Sequence, residues 1–485
     1  MPGPKLAHTS VPVHFEAGSC QFPVPEGRID CGTLFVPEDR SEPNSPLIQL
    51  PVAVIRSSNP QPAPDPVVYL NGGPGAYSLD NLSSLATIFK EVLVDRDLIV
   101  FDQRGAGYGS PSLNCPEADD QFYQDLGKNL TQEEAQQHRV QAMHACRERL
   151  IKQGVNLAAY TSAANAADVD DLRSALGYAK WNLYGVSYGT RLALTVMRDF
   201  PDGVRSAILD SAYPPQVDAE AELAGNAERA INLFFERCAA DTKCNTAYPN
   251  LKDAFYETVA RLDATPLTVT LTRPNTGQSY EAVVNGNRLI VDLFLMLYFT
   301  DGLPYVPALI DELHAERGAY MLRDFLNQTA FLDDYISEGM NAAIRCGEEV
   351  SFTSPQAIAT VSAVVSPRLR DTLQRRFVFT DLALCAEWGA KPAAAIENQP
   401  VVSDIPTLIL AGDNDPITPP AWGKLAAQTL GHSHFFEFPW VGHGVLGAGV
   451  WGSCSQSMMS AFIADPDSAP DSACLSKLKP FFVKR

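Results

Sequence analysis

Ser187 stands between two glycines in the stretch Gly185-Val186-Ser187-Tyr188-Gly189. A short apolar run, Asn182 to Tyr184, precedes it, and Leu192, Val196 and Phe200 recur after it at the spacing of one helical face. Strand, tight turn with serine, helix is the setting in which a serine hydroxyl is exposed as a nucleophile. Such a turn needs unusual backbone angles, and glycines on both sides let strand and helix approach without a clashing Cβ. The backbone N–H of Tyr188, at the start of the helix, can then face a developing oxyanion.

A nucleophilic serine requires a base and an acid that orients it, expected in the chain order serine, acid, histidine. Four of the eight histidines follow Ser187: His314, His432, His434 and His443. Only His443 follows an apolar run and sits between glycines, in Gly442-His443-Gly444. For the acid, Gly412-Asp413-Asn414-Asp415-Pro416 offers two aspartates. One of them orients the imidazole, and the other is expected to cap a helix starting near Pro419 and Pro420. A second oxyanion donor is expected from Asn71-Gly72-Gly73-Pro74-Gly75, where Gly73 or Gly72 supplies an N–H and Pro74 has none.

Six short apolar runs must position these groups: Val67–Leu70, Leu98–Phe101, Asn182–Tyr184, Ser206–Leu209, Thr407–Leu410 and His434–Phe438. They alternate with helical patterns, which predicts a mostly parallel sheet covered by helices. Each polar cluster named above lies just after a run, at the end of a strand where sites of such sheets collect. From about Pro214 to Pro400 the patterns are mainly helical, apart from the alternating Leu267–Thr272. The expected organisation is therefore an α/β core in two parts, 1–213 and 401–485, with a helical cap at 214–400 inserted before the acid-bearing strand.

With 57 acidic against 37 basic residues, the chain carries a formal charge of −20, which argues against nucleic acid as a partner. No apolar run is long enough to span a bilayer; Leu289 to Phe299 is too short and contains Asp292. The start, MPGPKLAHTS, has no signal-peptide pattern. Ten cysteines without a C-x-x-C or a zinc-type spacing predict disulfides and a secreted or periplasmic protein whose signal is absent from this chain. Their spacing suggests pairing in chain order: 20–31, 115–146, 238–244, 346–385 and 454–474.

In combination these motifs resemble the α/β-hydrolase serine peptidases of the proline iminopeptidase and tripeptidyl aminopeptidase family. The resemblance rests on Gly72-Gly73-Pro74-Gly75, Asp102-Gln103-Arg104-Gly105 with Gly107 and Ser110, the run from Tyr160 to Leu194, LDSAYPP (209–215), GDNDPITP (412–419) and Gly442-His443. AIRCGE (343–348) and CAEW (385–388) are similar to motifs of the secreted tripeptidyl-aminopeptidase-like branch, and they add weight to the 346–385 pair. Asn71 stands where many proline iminopeptidases carry His, and Gly389 follows Trp388 where that branch usually has Pro.

The resemblance implies Ser187 as nucleophile, His443 as base and Asp415, rather than Asp413, as the orienting acid. Amides of Gly73 and Tyr188 form the oxyanion hole, and no metal or organic cofactor takes part. It also implies hydrolysis of peptides from a free N-terminus. An esterase acting on small acyl substrates would use the same triad, so the substrate is expected to be a peptide or a small acyl ester. A carboxylate from the cap should hold the substrate ammonium. Glu348, in the acidic position of the AIRCGE motif, is the first candidate, with Glu349 beside it and Glu338 as an alternative.

Overall fold

The computed structural model describes residues 13–274, 276–330, 332–479 and 482–483. Its strands are β1 (His14–Gly18), β2 (Ile29–Pro37), β3 (Leu47–Ile55), β4 (Val67–Leu70), β5 (Leu98–Phe101), β6 (Trp181–Val186), β7 (Val204–Asp210), β8 (Leu267–Thr272), β9 (Ser279–Val284), β10 (Thr407–Gly412) and β11 (Ser433–Phe438). Nine form one sheet in the order β1-β2-β3-β5-β4-β6-β7-β10-β11, and β8 and β9 form a separate hairpin. From β5 to β11 all neighbours in the large sheet are parallel. The parallel strands are covered on both faces, which is why β4, β5 and β10 read as unbroken apolar runs.

The sheet extends beyond the six strands read from apolar runs. β1, β2 and β3 add an antiparallel edge, joined to the parallel part through β3 and β5. Polar residues interrupt these strands (Asp30 and Thr33 in β2, Gln49 in β3), so their apolar content is spread out. The long helix Gln132–Lys152 was likewise hidden, because its composition is strongly polar. A capping box starts it, with the Thr131 hydroxyl accepting from the Glu134 amide and the Glu134 carboxylate accepting from the Thr131 amide.

Two hydrophobic clusters flank the sheet, one around Leu183, Leu192 and Ile409 and the other around Leu98, Leu410 and Phe438. Between β7 and β10 the chain builds mostly helices, from Ala219–Ala240 to Phe379–Trp388. These helices and the β8–β9 hairpin share a third cluster, around Phe234, Phe255, Leu293 and Leu309. The alternating run Leu267–Thr272 is strand β8.

The ten cysteines pair in chain order, Cys20–Cys31, Cys115–Cys146, Cys238–Cys244, Cys346–Cys385 and Cys454–Cys474, and none is free. Such a set is consistent with an oxidising compartment. Among the described residues no single helix is long and apolar enough to cross a membrane.

Candidate active site

Ser187 follows β6 and precedes the helix Tyr188–Asp199 with φ 56° and ψ −127°, a left-handed backbone that a non-glycine residue adopts only under constraint. The constraint is crowding. A Cβ on Gly189 would lie 1.9 Å from the Leu70 carbonyl oxygen, and one on Gly185 would lie 2.3 Å from that of Gly189. Strand β4, strand β6 and the helix therefore meet at distances only glycine permits, and the serine between them is pushed outward. Its N–H donates to the Asp210 carbonyl at 3.0 Å.

The loop after β4 lies directly on the nucleophile: a Cβ on Gly72 would be 2.9 Å from the Ser187 Cβ and 3.5 Å from its Oγ. Asn71 decides which glycine has a donor to spare. Its Oδ1 accepts the Gly72 N–H at 2.9 Å, and its Nδ2 donates to the Tyr77 carbonyl at 2.9 Å. The Gly72 amide is thus engaged. Gln103 Nε2 holds the same loop through the Asn71 carbonyl at 2.9 Å. Asp102 accepts from the amides of Ser78, Leu79 and Tyr108, so the Asp102-Gln103-Arg104-Gly105 turn supports the glycine loop from behind.

The two aspartates after β10 separate cleanly. Asp415 Oδ2 lies 2.8 Å from His443 Nδ1, and its Oδ1 accepts from the amides of Ile417 and Thr418, each at 2.9 Å. The Thr418 hydroxyl sits between the pair, 2.7 Å from Asp415 Oδ2 and 2.9 Å from His443 Nδ1. Burial alone would raise the Asp415 pKa, but the charge and hydrogen bond of His443, with Thr418 and the Ile417 amide, hold it below the usual carboxylate range. Asp413 points elsewhere. It forms a two-armed ion pair with Arg237, 2.9 and 2.5 Å, and accepts from the Trp440 amide. The expectation that one aspartate caps the next helix fails: the N-cap of Pro420–Ala427 is Pro419, and no side chain caps it.

His443 is nearly enclosed, its side chain 3 % exposed. Tyr298 stacks on its ring at 4.3 Å, and the Tyr298 carbonyl accepts the His443 N–H at 2.9 Å. Its Nε2 is buried and has no protein partner among the described residues, which leaves that nitrogen for a substrate or the nucleophile.

Three supporting residues escaped the sequence reading. Asp210, at the end of β7, is fully buried, and burial raises its pKa. It accepts from the amides of Val445 and Leu446, just past His443, and from the Tyr184 hydroxyl at 2.6 Å. Thr418 and Tyr298 are the other two. Their roles depend on contacts across the fold, and no spacing marks them.

Glu348, Glu338 and Glu349 differ in how fully they are engaged. Glu348 is 1 % exposed and already committed: Oε1 accepts the Ser162 amide and Oε2 the Ser162 hydroxyl, each at 2.6 Å, with Arg191 Nε at 3.6 Å. Burial pushes its pKa up to about 7 against the pull of Arg191 and Ser162. The Ser162 hydroxyl also meets the Tyr188 hydroxyl at 2.8 Å, so Glu348 braces the helix behind the nucleophile. Glu338 pairs with Arg139 at 2.6 Å. Glu349 is different: Oε2 pairs with Arg345 at 3.1 Å, while Oε1 is buried without a partner among the described residues. Arg345 also contacts Glu220 and Asp381, so three carboxylates crowd one guanidinium.

The sequence model of the alpha/beta hydrolase fold matches residues 65–447. The chain belongs to the alpha/beta hydrolase family. It is 27 % identical to serine protease Hip1 of Mycobacterium tuberculosis over 98 % of this chain and 92 % of that protein. It is 30 % identical to a tripeptidyl aminopeptidase of Streptomyces coelicolor over 39 % of this chain and 36 % of that protein. Among solved alpha/beta hydrolases, the proline iminopeptidase of Mycobacterium smegmatis is 16 % identical and covers 87 % of this chain and 97 % of its own, with a TM-score of 0.37. This alpha/beta hydrolase is a serine hydrolase.

Proposed function

We propose that the chain is a serine peptidase that releases one or a few residues from the free N-terminus of a peptide, using Ser187, His443 and Asp415. The observation that carries this reading is the Asp415–Thr418–His443 arrangement, on the strand-end side of the sheet that also carries the constrained Ser187. The likeness to serine protease Hip1 along nearly the whole chain supports peptide rather than simple ester hydrolysis.

In this mechanism Ser187 Oγ attacks the scissile carbonyl carbon and its proton passes to His443 Nε2. Asp415 keeps Nδ1 protonated and stabilises the imidazolium. The amides of Gly73 and Tyr188 donate to the oxyanion; Gly73 is preferred because the Gly72 amide is held by Asn71. The C–N bond then breaks, and His443 returns the proton to the leaving amine. Water, deprotonated by His443, hydrolyses the acyl-enzyme and frees Ser187. The helical segment 214–400 acts as a cap over this site, and the disulfides suit an exported enzyme.

A free N-terminus needs a carboxylate, because an unpaired ammonium out of water costs several kcal/mol, roughly. Glu349, with Oε1 unpartnered, takes that role in place of Glu348. Paired rates on free-amine and N-acetylated forms of one peptide test the reading. The expected result is a preference of at least tenfold for the free amine, lost in Glu349→Gln. Equal cleavage of both forms by the unmodified enzyme would discard the aminopeptidase reading and favour the esterase alternative.

A further inference from the structure

A cavity of about 290 Å³ lies between the helices of residues 116–152 and the helical segment. Nothing described so far uses it. Its size is near the lower end of small-molecule sites, roughly 300–1,000 Å³. The walls are largely apolar, with Phe122, Leu126, Val291, Leu295 and Phe377 among them.

The helix Gly286–Tyr298 connects this cavity to the catalytic base. Arg288, Val291 and Leu295 line the cavity, and Tyr298 stacks on His443. These positions recur at i, i+3, i+7 and i+10, so they share one face of the helix. The cavity stripe therefore runs into the His443 ring within one turn of Leu295. The opposite wall leads to the nucleophile's loop: Arg139 lines the cavity and pairs with Glu338, and the adjoining Ser337 amide donates to the Gly75 carbonyl at 2.8 Å.

Part of the cavity wall is cationic. The turn Gln374–Val378 is π-helical, an irregularity often found at functional sites. It places Arg375 and Arg376 at the cavity. The chain here runs along the same helix, with Thr372 just before the turn on Asn287 at 3.1 Å and the Phe377 ring 5.6 Å from Phe294. Along the cavity wall Arg139 pairs with Glu338, Arg288 with Asp292 and Lys128 with Asp125. Arg376 stands over Phe377 and feels Asp381. Arg375 is exposed and has no carboxylate partner among the described residues, in a chain with an excess of 20 negative charges.

From this we infer that the cavity is the subsite for the leaving part of a short peptide, with the peptide's terminal carboxylate held at Arg375 and Arg376. This rests on the peptidase reading. His443 must protonate the leaving amine, so the chain beyond the scissile nitrogen starts beside His443 and Tyr298, where the cavity stripe begins. From Tyr298 to Arg288 the helix rises roughly 15 Å, which about four extended residues span. The apolar walls accept the side chains, and the arginines recognise the end. The enzyme would then act on oligopeptides with both termini free rather than on folded proteins.

The test uses one peptide of about six residues, as free acid and as C-terminal amide, with the intact enzyme. The free acid should be cleaved with at least tenfold higher kcat/KM, carried mainly by KM. Arg375→Gln and Arg376→Gln should each bring the acid-to-amide ratio toward one. Direct titration of the same two peptides into the Ser187→Ala protein should reproduce the preference without turnover. Equal kcat/KM for acid and amide, or a preference that both arginine variants retain, would overturn the proposal. Free-amine dependence is measured separately, so a failure of the aminopeptidase reading is distinguishable from a failure of this subsite.

Discussion

Asp415, in a strand-end loop, and the carboxylates around Arg345, in the helical segment, are buried in opposite ways. Every oxygen of Asp415 is satisfied, two amides on one and Thr418 with His443 on the other. In the helical segment Glu220, Glu349 and Asp381 share Arg345, and Glu220 Oε2 and Glu349 Oε1 have no partner among the described residues. Burial raises the pKa of Glu220 and Asp381, whereas that of Asp415 is lowered. A fully paired acid suits a group whose charge must stay constant through each turnover. Carboxylates in excess of their donors suit a place where a cationic ligand completes the set. In the proposed mechanism, reaction chemistry and substrate choice would thus sit in regions of contrasting electrostatic completeness.

The largest effect that could break this contrast is at the nucleophile. Ser187→Ala should lower kcat by about 10⁵–10⁶-fold while leaving the thermal unfolding midpoint near that of the parent. Residual turnover above a hundredth of the parent's would remove Ser187 from its role. Next, Asp415→Asn should cost about 10⁴-fold in kcat, because an amide leaves His443 in the wrong tautomer. Asp413→Asn should cost less than tenfold in kcat, since its partners are Arg237 and Trp440. A reversed ranking in steady-state kinetics would move the acid to Asp413.

The smallest effect concerns Glu348, which should behave as a structural acid. Its folded pKa of about 7 lies above the ordinary value of 4.5, so the folded state binds the extra proton between those pH values. Stability from this group is therefore lost as pH rises from about 4.5 to 7, by roughly 3 kcal/mol at most. Glu348→Gln should flatten that slope in denaturant titrations run across the same range. An unchanged slope would show that Glu348 does not titrate there.

The proposed triad stands out in the sequence because each of its members sits where an apolar run ends and glycines crowd the chain. The turn at Ser187 and the loop at His443 both show this local signature. The choice between Asp413 and Asp415 rested on a family motif, since both follow the same strand; only Arg237, more than 170 residues away in the chain, separates them physically. The sequence places Glu348 beside a cysteine in the segment 214–400 and cannot show Ser162 and Arg191 closing over it. Of the antiparallel edge, β2 is masked by its polar residues and β3, largely apolar, by Pro51 within it, a residue that argues against a strand. The mainly helical patterns of 214–400, by contrast, show in the spacing, and Leu251–Ala264 and Gly286–Tyr298 are among the helices there.

Asp210 carries a consequence for anyone who would re-engineer this enzyme. Its main-chain oxygen holds the amide of the nucleophile, and its side chain holds two amides of the loop that carries the base. One residue acts as the shared gauge for both moving parts of the reaction. A library that varies the loop after β11 without varying the end of β7 would search geometries that Asp210 has already forbidden. Useful changes in reach between Ser187 and His443 should therefore arise as paired substitutions, and single-site scans would miss them.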